Sequence, residues 1–250
     1  MLPKAKKSYS QNWLVDETAV QKIVTAAGIR SGETVLEIGP GTGLLTKELV
    51  KAGAKVMAVE ADDSLIEPLK EQFADQVEVV HGDALVTTPP EGDYKLVANI
   101  PYSITSDILR RYLTHEHPPT RMILLVQKEV ADRIVAGPGD MSVLSVMCQL
   151  YAQCKKVFKV PAGAFRPIPK VDSAVIQLDL YPENKENVSL ESVIAVAKRG
   201  FSSRRKQLQK NIGPGTKEVL EGMGLDPKIR AQDLTIDNWK ELTHNLSKRT

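Results

Sequence analysis

Short apolar runs alternate with amphipathic stretches through the first half of the chain. Thr34-Val35-Leu36-Glu37-Ile38, Lys55–Glu60, Val77–His81, Lys95–Asn99 and Met122–Gln127 read as five strands. Between them the spacing predicts helices over Leu44–Ala52, Ser64–Phe73 and Ile104–Leu113, with another over Lys128–Ala136. A first helix is expected over Glu17–Ala27, with Asp16 as N-cap and Gly28 as its stop. This alternation predicts a parallel, doubly wound α/β sheet. Past Pro138-Gly139 the pattern changes to a helix near Ser142–Tyr151 and two β-rich runs, Lys156–Val160 and Ser173–Leu180. These are expected to form an antiparallel pair closing one sheet edge. Pro182–Asn187 reads as a linker, and the periodicity beyond it is helical only, over Leu190–Phe201, Lys217–Met223 and Ile236–Leu246. The expected division is an α/β domain over 1–182 and a helical domain over 183–250.

A chain of 250 residues has room for one large domain with a small appendage. Its 42% apolar and 26% charged residues are ordinary for a soluble protein. No apolar run approaches a membrane span, and the first residues lack both a secretory apolar stretch and an Arg/Ser-rich leader. The expectation is a cytoplasmic protein. Cys148 and Cys154 are too few for a disulfide framework or a zinc site, so no metal is expected. His115-Glu116-His117 precedes two prolines and reads as a solvated loop rather than a metal pair.

The net charge of +2 conceals an uneven distribution. Residues 1–10 carry Lys4, Lys6 and Lys7. Residues 155–170 carry Lys155, Lys156, Lys159, Arg166 and Lys170, and residues 198–210 carry Lys198, Arg199, Arg204, Arg205, Lys206 and Lys210. None of these stretches contains an acid. Together they hold +14, so the remainder must carry −12. Such asymmetry points to a surface that faces a polyanion, nucleic acid above all.

Ligands of open α/β sheets bind at the carboxyl ends of the strands. Gly39, Gly41 and Gly43 follow the first strand, where missing side chains let backbone approach a ligand. Glu60 ends the second strand and could accept from both ribose hydroxyls of a nucleoside. Asp83 follows the third, placed to accept from an adenine amino group, and Asn99 ends the fourth. The turn reads G-x-G-x-G, with Leu44 where a dinucleotide fingerprint wants its last glycine. That departure disfavours a bound pyrophosphate and favours S-adenosylmethionine.

Asn99-Ile100-Pro101-Tyr102 carries the chemistry. An adenine amino nitrogen is a poor nucleophile because its lone pair is delocalised into the ring. The Asn99 side-chain oxygen and a backbone carbonyl, most simply that of Ile100, could hold both amino hydrogens and favour pyramidal geometry. They would also stabilise the positive charge that develops on nitrogen. Pro101 stiffens the turn, and Tyr102 would stack on the purine. The sulfonium is already activated, so alignment is what the protein must supply.

These residues resemble the ribosomal RNA adenine N6-dimethyltransferases, and within them the KsgA-type small-subunit enzymes. The resemblance runs from about Lys7 to Asn211. It is carried by Gln11-Asn12-Trp13-Leu14, Glu37–Gly43, Asn99–Tyr102, Gln127–Arg133, Leu144-Ser145-Val146, Phe165–Ser173 and Phe201–Lys206. It implies a Rossmann-like class I methyltransferase with a small helical C-terminal domain. It implies S-adenosylmethionine contacts from Asn12, Leu14, Gly39, Gly41, Glu60, Ala61, Asp83, Ala84 and Asn99. Phe165 would stack on the target adenine opposite Tyr102, while Lys6, Lys7, Arg166, Lys170, Arg204, Arg205 and Lys206 would hold RNA. The substrate would be two adjacent adenines of a small-subunit rRNA hairpin, modified by a monomer during ribosome assembly. Tyr9-Ser10 stand where the family usually has Phe-Gly, and Trp13 stands for the usual Phe.

Three other readings stay open: a large-subunit adenine methyltransferase of the macrolide-resistance type, a non-catalytic ribosome-assembly factor, and a small-molecule methyltransferase. Pro169–Ser173 and Arg204-Arg205-Lys206 lean toward the small subunit, and the basic runs disfavour a small-molecule substrate.

Overall fold

The computed structural model describes Pro3, Lys6, residues 11–182 and residues 189–248. Its strands are β1 (Trp13–Leu14), β2 (Thr34–Ile38), β3 (Lys55–Glu60), β4 (Val77–His81), β5 (Tyr94–Asn99), β6 (Arg121–Gln127), β7 (Ala152–Val160), β8 (Phe165–Arg166) and β9 (Ser173–Leu180). The helices are α1 (Glu17–Ala27), α2 (Leu44–Lys51), α3 (Asp63–Phe73), α4 (Thr105–Leu113), α5 (Lys128–Ile134), α6 (Val143–Tyr151), α7 (Leu190–Gly200), α8 (Leu208–Ile212), α9 (Thr216–Gly222) and α10 (Ile236–Ser247).

The chain divides into two compact units: residues 1–131 with 153–180, and residues 132–152 with 181–250. This differs from the expected contiguous split after residue 182. The reason is α6, whose Val146 and Leu150 pack into the same buried cluster as Val193, Leu220 and Trp239. Of the expected linker Pro182–Asn187, all but Pro182 lies outside the described residues.

The first unit is a seven-stranded sheet in the order β4-β3-β2-β5-β6-β9-β7. β4, β3, β2, β5 and β6 are mutually parallel, and β9 runs antiparallel to β6 with Arg121 opposite Asp179. The expected closing pair is therefore arranged with Ser173–Leu180 inside and β7 outermost. Burial explains the order. Residues 173–178 of β9 are buried, whereas Lys155, Lys156 and Lys159 of β7 are exposed, a charge pattern suited to an edge strand.

Helix α1 starts as its sequence predicts. The Asp16 side chain accepts from the Ala19 N–H at 3.1 Å, and Gly28 ends the helix at φ 57°. Val20, Ile23 and Ala27 make its buried face against the sheet. The parallel order reverses between β2 and β5, so their carboxyl ends form the switch point where an open sheet binds ligands.

One small sheet and one short helix escaped the sequence pattern. β1 and β8 form a separate two-stranded antiparallel sheet, with Trp13 opposite Arg166 and Leu14 opposite Phe165. The other is α8, five residues long and below the reach of helical periodicity. In the helical unit, α7, α8, α9 and α10 join α6 around Trp239, which is fully buried.

Candidate active site

A cavity of about 470 Å³ opens at the carboxyl ends of β2, β3, β4 and β5. Its walls include Asn12, Leu14, Gly39, Gly41, Glu60, Ala61, Asp83, Ala84 and Asn99, all of the residues expected to meet a cofactor. Ile100, Pro101 and Tyr102 line it as well.

The glycine turn is shaped from above by an aromatic ring. Gly41 has φ +58°, and a Cβ on it would lie 2.7 Å from the Trp13 ring, so only glycine allows indole and loop to meet. Gly39, at φ +66°, has open space where its side chain would be. That space is where a ligand could lie against bare backbone.

Glu60 is buried, and both its oxygens are held. Oε2 accepts from Gly41 N–H at 3.1 Å and Oε1 from Asp62 N–H at 2.9 Å. Burial raises its pKa despite these donors. Asp83 accepts at Oδ1 from Leu85 N–H at 2.8 Å, and its turn is secured by Thr87, which donates through its backbone N–H and its hydroxyl to the Asp83 carbonyl. Tyr112 adds a hydroxyl bond to the Ala84 carbonyl at 3.0 Å.

The Asn99–Tyr102 corner is tied to the N-terminal segment. Asn99 Nδ2 donates to the Asn12 carbonyl at 3.2 Å, and its Oδ1 takes up no hydrogen bond among the described residues. Tyr102 is half-buried, and its hydroxyl lies 2.7 Å from Ser173 Oγ on β9. Burial raises the phenol's pKa, so it is neutral and can serve as an aromatic face.

Two residues at the site carried no sequence signal that was used. Glu37, near the end of β2, is 1% exposed, lines the cavity, and its Oε2 has no hydrogen-bond partner among the described residues. Burial, with the charge of Glu60 adding to it, pushes this carboxyl up to about 8. An acid in an otherwise apolar strand just before the glycine turn was the available clue. Asp62 is the second. Its carboxylate accepts from Lys6 Nζ at 2.5 Å, Gln11 Nε2 at 2.9 Å and Ser64 Oγ at 2.6 Å. Burial works against its charge, but Lys6, Ser64 and Gln11 together hold its pKa well below the ordinary value. Its main partner is 56 residues away in sequence, which no local pattern reveals.

Three expectations change. Lys6, expected on RNA, is engaged with Asp62. Phe165 is fully buried in the core cluster with Trp13 and Leu14 and does not line the cavity. The β1–β8 pairing draws it inward, so in this conformation no base can stack on it. Arg204, also expected on RNA, pairs with Asp140 at 2.9 Å, though both side chains are largely exposed. Arg166, Lys170, Arg205 and Lys206 are exposed as expected, and Lys7 lies outside the described residues.

A sequence model of the ribosomal RNA adenine dimethylase family matches residues 2–248. The chain belongs to that family. It is therefore a ribosomal RNA adenine dimethyltransferase, with the cavity at the sheet's switch point as its candidate catalytic centre. Among curated relatives, the ribosomal RNA small subunit methyltransferase A of Dehalococcoides mccartyi strain BAV1 is 41% identical over 96% of this chain and 87% of its own. The protein of the same name from Acaryochloris marina is 37% identical over 98% of both chains. Of solved structures, a dimethyladenosine transferase from Plasmodium falciparum superposes with TM-score 0.85 at 28% identity, covering 94% of this chain and 98% of that one. The 23S rRNA methyltransferase ErmE superposes with TM-score 0.78 at 29% identity, covering 94% and 100%. The family match spans nearly the whole chain, as do the alignments with relatives named for the small subunit.

Proposed function

We propose that this family member uses S-adenosylmethionine to dimethylate two adjacent adenines in the 3′-terminal hairpin of small-subunit rRNA, acting as a cytoplasmic monomer during subunit assembly. The cavity's residues suit that donor. Glu60 offers carboxylate lone pairs where a ribose diol could lie, Gly39 leaves bare backbone, and the Glu37 carboxyl presents a polar group in the wall whose Oε2 has no partner among the described residues. Bound there, the donor supplies an already activated methyl group.

The protein's own part is to hold and aim the base. With Nδ2 of Asn99 engaged by Asn12, Oδ1 is left to accept from an adenine amino group. That bond carries the reading, because it fixes the amide with its acceptor available. The Ile100 carbonyl would take the second amino hydrogen, and charge developing on nitrogen would meet two fixed dipoles. Tyr102, held by Ser173, would stack on the extruded purine and offset part of its unstacking. Phe165 would join it only if uncovered from the core. Arg166, Lys170, Arg205 and Lys206 would engage phosphates, Lys7 and Arg204 adding to them.

Incubation with small subunits lacking these methyl groups, followed by mapping of modified bases, tests the reading. The expected product is dimethyladenine at two neighbouring positions of one hairpin. Modification confined to large-subunit RNA, or no transfer, would overturn it.

A further inference from the structure

Between β8 and β9 the chain crosses a short loop, residues 167–172, whose two flanks are fixed to the cavity. At one end Arg166 pairs with Trp13, a residue of the cavity wall. At the other, Ser173 bonds to Tyr102, which lines the cavity too. Asp172 pins that end further, accepting from Ala162 N–H at 3.0 Å and pairing with Lys159 at 2.7 Å. The loop therefore stands on the rim beside the proposed base pocket.

Its composition is unusual for a rim. Ile168 is 62% exposed and Val171 is 45% exposed, among the few large apolar side chains left in solvent. Prolines flank Ile168 on both sides and restrict the backbone, and the cations Arg166 and Lys170 lie two residues to either side. An apolar tip on a stiff backbone between two cations matches the chemistry of a stacked polyanion: phosphates for the charges and base faces for the aliphatic side chain.

We infer that Ile168 is a wedge that enters the RNA stack in the place vacated by the extruded adenine. Resting as it does on the proposed base methylation, it gives that reaction its means of holding the stack open. Tyr102 receives the base inside, and Ile168 fills the gap outside. Arg166 and Lys170 grip the phosphates on either side of the gap.

The test compares wild type with Ile168→Ala and Ile168→Leu, substitutions at an exposed position. With under-methylated small subunits, Ile168→Ala should lower kcat/KM by about tenfold or more, the scale of one lost apolar contact. Ile168→Leu should restore the rate. On a short unstructured oligonucleotide carrying the same adenines the three proteins should act alike, because nothing need be unstacked. A hairpin with 2-aminopurine next to the target should brighten on binding wild type, as its neighbour leaves the stack, and stay dim with Ile168→Ala. Equal subunit rates and equal brightening would overturn the wedge while leaving the methylation reading intact. If wild type methylates no subunit adenine at all, the functional reading itself fails.

Discussion

Asn99 Nδ2 donates to the backbone carbonyl of Asn12 at 3.2 Å, a bond that links the end of β5 to the segment just before β1. The same segment is anchored at Gln11 by Asp62, whose backbone N–H donates to Glu60. The Asn99 amide proposed to hold the base and the carboxylate proposed to hold the ribose are thus set by one stretch of chain. Closing that stretch orients both.

Asn99→Ala should remove an acceptor needed only as charge develops on the base. Loss of one such preorganised dipole costs about 10²–10³ in kcat. The cofactor, held mainly elsewhere in the cavity, should bind within a few-fold of wild type. Single-turnover methyl transfer together with equilibrium dialysis of labelled cofactor separates the two effects. A near-normal rate would reject the role.

Glu37 makes stability depend on pH. Folded, burial keeps its proton up to about 8, whereas an exposed glutamate releases it near 4.5. Between those values the native state holds a proton that the unfolded chain has lost. Its contribution is therefore complete below 4.5 and disappears as pH rises through about 8. Glu37→Gln has no such proton to lose. Thermal unfolding without cofactor should show the variant gaining on wild type steadily across that window. A difference independent of pH would mean that Glu37 is already charged in the fold.

The parallel sheet was legible because its strands are apolar runs ended by glycine or a polar residue, and its helices begin at recognisable caps. Glu60 and Asp83 were legible for the same reason, since one ends a strand and the other closely follows one, whereas Glu37 lies inside its strand and was passed over. The rest was hidden by distance in sequence. Phe165 looks like a stacking residue beside its prolines, and only the pairing with Leu14, over 150 residues earlier, shows it turned into the core. Lys6 belongs to a basic run, yet its charge is engaged by Asp62, which also caps α3. α6 lies before β7 in the chain but packs with the C-terminal helices, so no linear boundary could separate the units.

That reassignment of Lys6 separates two kinds of cation. Each phosphate contact contributes about 0.7 to the slope of log affinity against log salt on single strands and about 0.9 on B-form duplex, which bracket the value expected for a hairpin. Arg205→Ala with Lys206→Ala should flatten the slope by about 1.4–1.8 if both hold phosphates. Lys6→Ala should leave the slope unchanged and weaken cofactor binding instead, by loosening the segment that Asp62 holds. Filter binding of RNA over a salt series, beside cofactor titration, reads both. A flattened slope for Lys6→Ala would return that residue to the RNA surface.

Gly200, the last residue of α7, has no room for a side chain. A Cβ there would lie 2.6 Å from Trp239 Cη2 and 2.8 Å from Leu208 Cδ1. Trp239 is fully buried and packs on Phe201 with ring centroids 5.6 Å apart, so the indole cannot simply swing away. Gly200→Ala should cost about 1–3 kcal/mol through overpacking, read as a lower urea midpoint. The indole N–H has no hydrogen-bond partner among the described residues, so its ring is held by packing alone. Trp239→Phe should therefore relieve the clash in the double variant without breaking a hydrogen bond. Phe201–Lys206 follows Gly200 directly, so Gly200→Ala should also displace Arg205 and Lys206 and weaken RNA binding. Both losses should recover together in the double variant, and recovery of stability without RNA affinity would place the RNA contact outside this turn.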